Sequence, residues 1–172
     1  FDKEYLHSLI RYNKALQQRN ALLKIDGNID VTLLDLWDEQ LCDGGPIIYN
    51  KRKKFVEEFI PIFQRFYDFI CLSNEKVKLK YESHFEGTDF LSLLKQRRNK
   101  DRILGYTSVG IHKDDLDMQM DDYSIKRVGS QGQNKTYVVA LKFAQFDFLR
   151  KATETTPILL LDDIFDKLDS SR

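Results

Sequence analysis

The stretch Ile158-Leu159-Leu160-Leu161-Asp162-Asp163 constrains the fold more than any other part of the chain. Four consecutive apolar side chains point alternately to both faces of a strand. Both faces then have to be covered, as in a parallel sheet flanked by helices. The two carboxylates emerge at the strand's C-terminal end, where open α/β sheets bind their ligands. An α/β fold is therefore expected, and the rest of the chain has to supply the helices.

It does so mainly in its first part. Leu6, Leu9, Ile10, Leu16 and Leu23 fall on one helical stripe that stops near Gly27. Asp30 can cap a second helix with Leu33, Leu34, Trp37 and Leu41 inward. Gly44-Gly45-Pro46 reads as a break that starts a third helix, whose stripe is Phe55, Phe59, Phe63, Phe66 and Ile70, with Pro61 expected to kink it. After Cys71 the texture changes. Residues 77–85, VKLKYESHF, alternate like a half-buried strand. A helix from Asp89 follows, with Phe90, Leu91, Leu94 and Ile103 inward. Then come strand-like pieces at 106–111 and 116–127, a helix from about Gln131 to Lys151 carrying Val138, Leu141, Phe146 and Leu149, the PILLLDD strand, and a short helix near Ile164. The organisation predicted is a helical arm over 1–75 and an α/β portion over 76–172.

Composition narrows the function classes. The 27 basic and 27 acidic side chains cancel, so any nucleic-acid contact has to rest on local clusters. No stretch approaches the ~20 apolar residues of a membrane span, and FDKEYLHSLIRYNK is unlike a signal peptide because charges interrupt it. Cys42 and Cys71 have no C-x-x-C partner and read as free thiols of a reducing cytoplasm.

The chemistry concentrates in two places. A carboxylate at a strand end gives magnesium the hard oxygen it prefers, and a second one residue on can orient or deprotonate an attacking water. Asp162 and Asp163 fit that Walker B arrangement, although a buried strand ending in a helix-capping Asp pair has the same sequence. Leu168-Asp169-Ser170-Ser171-Arg172 then follows the D-loop pattern of ABC-type ATPases. The second place is GSQGQNKT, residues 129–136, which nearly matches the phosphate-loop pattern G-x-x-x-x-G-K-[ST] but has Asn134 where the second glycine belongs. The preceding residues 123–128 are too polar for the strand that feeds such a loop. Ser130 lies 32 positions before Asp162, with one helix between, which is the layout of an ABC signature loop. There Ser130 would donate to a γ-phosphate and Gly132 would let backbone approach. Gln131 and Gln133 would add neutral donors, and the helix dipole would face the anion. A plain helix cap by Ser130 is the competing reading.

Taken in order, the pieces resemble the RecF family of bacterial recombination mediators, relatives of Rad50 and SMC heads. QQRNALLK (17–24), LWDEQL (36–41), GIHKDDL (110–116), GSQGQNKT and PILLLDDIFDKLDSSR resemble the family's Q-R-N-A-L-L-K, W-D-x-Q-L, G-P-H-R-D-D-L, S-Q-G-Q-x-R-T and P-x-L-L-L-D-D-V-x-S-E-L-D-x-x-R. Ile111, Lys113, Lys135 and Asp166-Lys167 depart from those patterns. The resemblance implies a partial ABC-type ATPase head with a short inserted helical arm. It also implies ATP-driven homodimerisation, slow hydrolysis acting as a release switch, and binding to gapped double-stranded DNA. Its implied partners are RecR, with RecO and RecA in the pathway. By position, Asp162 would hold Mg2+ through water, Asp163 would act on the attacking water, and Asp169 would sit at the dimer seam. Ser130, Gln131, Gly132 and Gln133 would contact the partner's ATP. No G-x-x-x-x-G-K-[ST] occurs in the chain, so a fragment without the N-terminal phosphate-loop lobe is expected, inactive alone.

Weaker signals remain. Lys51-Arg52-Lys53-Lys54 reads either as a solvated helix face or as a DNA-phosphate contact, and Lys95–Lys100 has the same ambiguity. His112, among Lys113, Asp114 and Asp115, lacks the second His or Cys of a metal site and points to a turn. Three rivals stand beside the main reading. A Rad50/SMC-like head would need a far longer insertion than the arm here. The others are a non-catalytic DNA-binding scaffold, and a complete site using Lys135 as a phosphate-loop lysine.

Overall fold

The computed structural model describes residues 2–71, 77–121, 123–153 and 155–160. Its elements are helices α1 (Lys3–Leu23) and α2 (Val31–Ile70), strand β1 (Val77–Glu82), helix α3 (Phe90–Leu104), a 3-10 turn at Ile111–Lys113, strands β2 (Asp115–Met120) and β3 (Tyr123–Ser124), the one-turn helix α4 (Ile125–Val128) and helix α5 (Gln131–Ala152). The mixed α/β composition is as expected. The strands form one sheet in the order β1-β2-β3, with β2 and β3 antiparallel and Met120 opposite Tyr123.

Helix α2 is the main departure from the sequence reading. It runs unbroken for 40 residues through Gly44-Gly45-Pro46 and through Pro61, where a break and a kink were expected. Its buried positions Leu34, Asp38, Leu41, Gly45 and Ile48, then Val56, Phe59, Phe63 and Tyr67, fall at three- and four-residue steps, with half-buried Arg52 four residues from both Ile48 and Val56. Both prolines lie on the exposed side, where water can reach the carbonyls whose helical donor they remove. Gly45 is on the buried side for a packing reason. A Cβ there would stand 2.1 Å from Phe85 Cζ, so the ring occupies the space a side chain would need.

The chain divides into two compact units. One joins residues up to Lys54 with Glu82–Asp115; the other joins Phe55–Tyr81 with residues from Leu116 onward. In the first, Tyr12, Ala15, Leu41, Ile48, Phe90, Leu94, Val109 and Ile111 form the core. In the second, α2 and α5 interlock over the sheet. Ala140 and Ala144, one turn apart, are small enough to admit Phe63 and Tyr67, Phe63 meets Tyr137 at 4.7 Å, and the Tyr137 hydroxyl donates to Lys78 O at 2.8 Å.

Several expected faces shift, and in α2 Leu33 and Phe55, expected inward, are exposed. The buried stripe of α1 is Ser8, Tyr12, Ala15, Arg19 and Leu23, whereas Leu6 and Ile10 are exposed. In α3, capped by Asp89 and ended by left-handed Gly105, Ile103 points outward. In α5 the inward residues are Tyr137, Val139, Ala140 and Ala144, and Val138 and Leu149 are exposed. Residues 106–111 form no strand, and 123–128 divide into β3 and α4. The described part of the apolar run, 157–160, is in no strand, with Ile158 and Leu160 each 88% exposed. Such a run becomes a buried strand only with sheet neighbours on both sides, and β1–β3 do not extend to it. The helix expected near Ile164 lies outside the described residues.

Candidate nucleotide-contacting loop and its supporting network

Helix α5 begins at Ser130 through a reciprocal capping box. The Gln133 backbone N–H donates to Ser130 Oγ at 3.2 Å, and the Ser130 N–H donates to Gln133 Oε1 at 2.8 Å. Asn134, the residue that spoils the phosphate-loop pattern, donates from Nδ2 to the carbonyls of Gly129 at 3.0 Å and Ser130 at 3.1 Å. Its side chain therefore fastens the loop from behind. Gly129 is tightly enclosed, since a Cβ would stand 2.7 Å from both Cγ1 and the carbonyl oxygen of Ile125. What precedes the loop is the helical turn α4, not a buried strand.

Gly132 is the opposite case. A Cβ there would meet nothing closer than Ser130 Oγ at 3.9 Å, so the chain's own packing does not call for glycine. A glycine within a helix is nonetheless less favourable than alanine by roughly 1 kcal/mol. The capping box and the first helical bond, Asn134 N to Ser130 O at 2.9 Å, satisfy the N–H groups of Gln133 and Asn134. Those of Gln131 and Gly132 have no acceptor among the described residues. Ser130 Oγ accepts from Gln133, and its own proton is donated to no described group. Exposed Ser130 and Gln131 thus flank two open backbone donors at the positive end of a 22-residue helix.

Asp162, Asp163 and Asp169 lie outside the described residues. Among those described, no cluster of His, Cys, Asp and Glu could hold a metal ion, and Cys42 and Cys71 are free. The basic run sits in mid-α2, with internal partners. Lys51 bridges Asp2 and Glu4, each at 2.9 Å. Arg52, half-buried, donates to Ile111 O at 2.7 Å, Asp114 Oδ2 at 2.9 Å and Tyr5 Oη at 3.2 Å, and Lys53 lies 5.9 Å from the Tyr49 ring centroid. Arg52 thus holds the 110–116 turn in place.

His112 belongs to the same turn. Its Nε2–H donates to Thr107 O at 2.9 Å, and its buried Nδ1 has no partner. Burial lowers its pKa below the ordinary 6.5; the Thr107 carbonyl opposes this, Lys113 and His84 add to it, and Asp114 opposes it. The unfolded chain therefore binds the proton more readily than the folded one. Stability from this site is full above about pH 6.5 and falls as pH drops towards the lower folded-state pKa. Urea midpoints at pH 7.5 and 5.5 should show this loss in the parent protein and a smaller one in His112→Gln.

The sequence reading missed a network around Arg19, which is completely buried. Arg19 Nε donates to Asp38 Oδ1 at 2.6 Å, and its Nη1 donates to Asp101 Oδ2 and Thr107 Oγ1, both at 2.8 Å. Arg98 closes the outer side on Asp38, at 2.6 Å, and on Asp35. Asn20 Oδ1 accepts from Thr107 N at 2.8 Å, and Ser108 N donates to Asp101 Oδ1 at 3.0 Å. The segments QQRNALLK and LWDEQL therefore meet through Arg19 and Asp38. The sequence signal was an arginine on an otherwise apolar helical stripe.

Comparison with known proteins agrees with this architecture. No protein-family model matches the chain. It is 56% identical over 172 residues to the DNA replication and repair protein RecF of Bacteroides thetaiotaomicron and 60% identical over 171 residues to that of Parabacteroides distasonis, covering 100% and 99% of this chain but 47% of each relative. Among solved structures, the recombination mediator protein RecF of the RecFOR pathway, with ATP, superposes with a TM-score of 0.83 at 31% identity, over 99% of this chain and 48% of that one. The chain spans about half the length of the curated relatives it matches. Over that span its fold is that of RecF, and the chain belongs to the RecF family.

Proposed function

We propose that this chain carries the signature-loop side of an ABC-type ATP site in a DNA-repair recombination mediator. The observation that supports it most is the open start of α5. Two unpaired N–H groups, a free hydroxyl proton and a residue without a side chain face outward at one helix N-terminus, a combination suited to a phosphate. In this reading Ser130, Gln131, Gly132 and Gln133 engage the γ-phosphate of ATP held by a second copy, so nucleotide drives homodimerisation. The phosphate-binding loop comes from sequence outside these residues. Asp162 supplies a hard oxygen ligand for Mg2+, Asp163 orients or deprotonates the attacking water, and Asp169 lies at the seam. Hydrolysis is slow and releases the dimer. The complete protein acts on gapped double-stranded DNA with RecR, and with RecO and RecA in the same pathway, in the cytoplasm. Within the basic run Lys53 and Lys54 are the exposed members, and in this reading they make the DNA contact. Among the described residues no helix is long and apolar enough to cross a membrane.

The test uses the complete protein. Mg·ATP binding is measured by equilibrium dialysis and ATP-driven dimerisation by sedimentation, for the parent, Ser130→Ala/Gly132→Asp and Lys135→Ala. The double variant should still bind Mg·ATP as a monomer, while its ATP-driven dimer weakens roughly 10- to 100-fold, the size of a lost hydrogen bond to a charged group. Lys135→Ala should change little. Loss of ATP binding in Lys135→Ala would instead identify residues 129–136 as a working phosphate loop and overturn the reading.

A further inference from the structure

In the first compact unit a groove of about 640 Å³ lies between α1 and α2, within the range of about 300–1,000 Å³ for ligand clefts. Its two walls differ in chemistry. On α1, exposed Arg11 and Lys14 are three residues apart on one helix face and form no ion pair among the described residues. No carboxylate lines the groove. Arg11 Nη2 donates to Gln40 Oε1 at 3.4 Å, its one described hydrogen bond.

On α2, half-buried Trp37 and Gln40 line the groove. Leu33 and Leu36 precede them at the spacing of a single helix face, and these leucines are 43% and 45% exposed. An apolar strip on α2 therefore stands beside two cations on α1 that have no counter-charge. Because the two walls come from different helices, the sequence could not display the pairing.

We infer that this groove docks an acidic amphipathic segment of a partner protein, with its carboxylates on Arg11 and Lys14 and its apolar side chains on Trp37, Leu36 and Leu33. Charge complementarity sets the sign of the partner, since the cleft offers two cations and no anion. The apolar strip sets its class. Laying one apolar helix face into a groove is a recurring mode of peptide recognition, and tryptophan is enriched among the residues that dominate such interfaces. A leucine offers a phosphodiester strand neither charge nor a stacking face. Exposed Asp43, one turn beyond Gln40, would also meet a continuing run of phosphates with like charge. A peptide needs carboxylates only where the cations are, and the amides of Gln17 and Gln18 can donate to them as well.

Trp37, the single tryptophan of this chain, provides the readout. Its emission in the complete protein, taken as the difference from a Trp37→Phe variant, is followed while a synthetic peptide of glutamate and leucine at amphipathic helical spacing is added. A lysine–leucine peptide of the same pattern and oligothymidylate are titrated beside it. The glutamate–leucine peptide should shift the emission to the blue, because apolar side chains displace water from the indole. The lysine–leucine peptide should not. Arg11→Gln/Lys14→Gln should weaken binding about 2- to 30-fold, the range for two exposed ion pairs, and remove most of its salt dependence. Leu33→Ser/Leu36→Ser should weaken it roughly tenfold with the salt dependence kept. ATP-driven dimerisation should be unchanged in both double variants, which keeps the result apart from the proposed function. Equal response to the two peptides, or a response to oligothymidylate alone, would overturn the inference. An emission already blue-shifted and unresponsive in the complete protein would also overturn it, because another part of the polypeptide would then fill the groove.

Discussion

Replacing Arg19 with alanine is expected to lower the unfolding free energy by roughly 3–5 kcal/mol, the cost of removing one member of a buried ionic pair. The Coulomb attraction is only part of this. Asp38 keeps Arg98, but Asp101 keeps only the Ser108 N–H among the described donors and stays fully buried. An uncompensated buried carboxylate has lost its water without gaining a counter-charge. Arg19→Lys keeps the charge but loses the fork that serves Asp38 and Asp101 from separate nitrogens, so it should fall between parent and alanine. Arg19→Met/Asp101→Leu should recover part of the loss, because apolar replacement of both members avoids the orphaned charge. Urea unfolding gives all three values. A loss below about 1 kcal/mol in Arg19→Ala would mean the network does not support the fold.

Gly110→Ala comes second. Gly110 has φ +127° and ψ 178°, a region that only glycine occupies without strain, so a side chain costs about 1–3 kcal/mol in the backbone alone. Its Cβ would also stand 2.3 Å from Tyr12 Oη and 3.2 Å from both His112 Nδ1 and Phe90 Cζ. Overpacking of that kind adds about 1–3 kcal/mol, for a total of roughly 2–6 kcal/mol. Tyr12→Phe removes the nearest atom and leaves the dihedral unchanged. Adding it to Gly110→Ala should therefore restore part of the packing loss and none of the strain, which a double-mutant cycle separates. Full rescue by Tyr12→Phe would show that the backbone conformation carries no cost.

Where the sequence was legible, periodicity and local chemistry agreed. Asp30 read as a helix cap and is one, with Oδ1 accepting from Thr32 N at 2.9 Å; the helix expected from Asp89 starts there, and the cap at Ser130, the competing reading of its loop, is present. Of the phenylalanine steps along 55–70, Phe59 and Phe63 lie in the core of α2's packing, whereas Phe55 is exposed. Gly44-Gly45-Pro46 misled because a punctuating residue was weighed above a stripe that continues at 41, 45 and 48 on either side of it. Propensity is a weak prior when an aromatic ring needs the glycine's empty side. The α1 stripe misled for the converse reason. Counting leucines skipped the polar Ser8 and Arg19, and Arg19 is buried because its partners Asp38, Asp101 and Thr107 arrive from α2, α3 and the segment after it.

The site divides in the same way. The cap at Ser130 and the room at Gly132 follow from local sequence and are present. The internal use of Arg52 could not be foreseen, since its partners Tyr5, Ile111 and Asp114 lie 47–62 positions away. In the run 51–54 the sequence shows four consecutive cations. The folded chain distinguishes them by what each one reaches.

The reach of Arg19 also has a consequence for how the chain is made. Its partners Asp101 and Thr107 lie 82 and 88 residues downstream. At a synthesis rate of about 5–20 residues per second, α1 leaves the ribosome about 4–16 seconds before Asp101 is available. During that interval the arginine cannot be buried, and the amphipathic α1 must wait in solvent with Tyr12 and Leu23 uncovered. Docking of α1 is thus a late event of biosynthesis, although it emerges before α2 and α3. Codons that slow translation between 24 and 101 would lengthen its exposure to chaperones and proteases without changing a single amino acid.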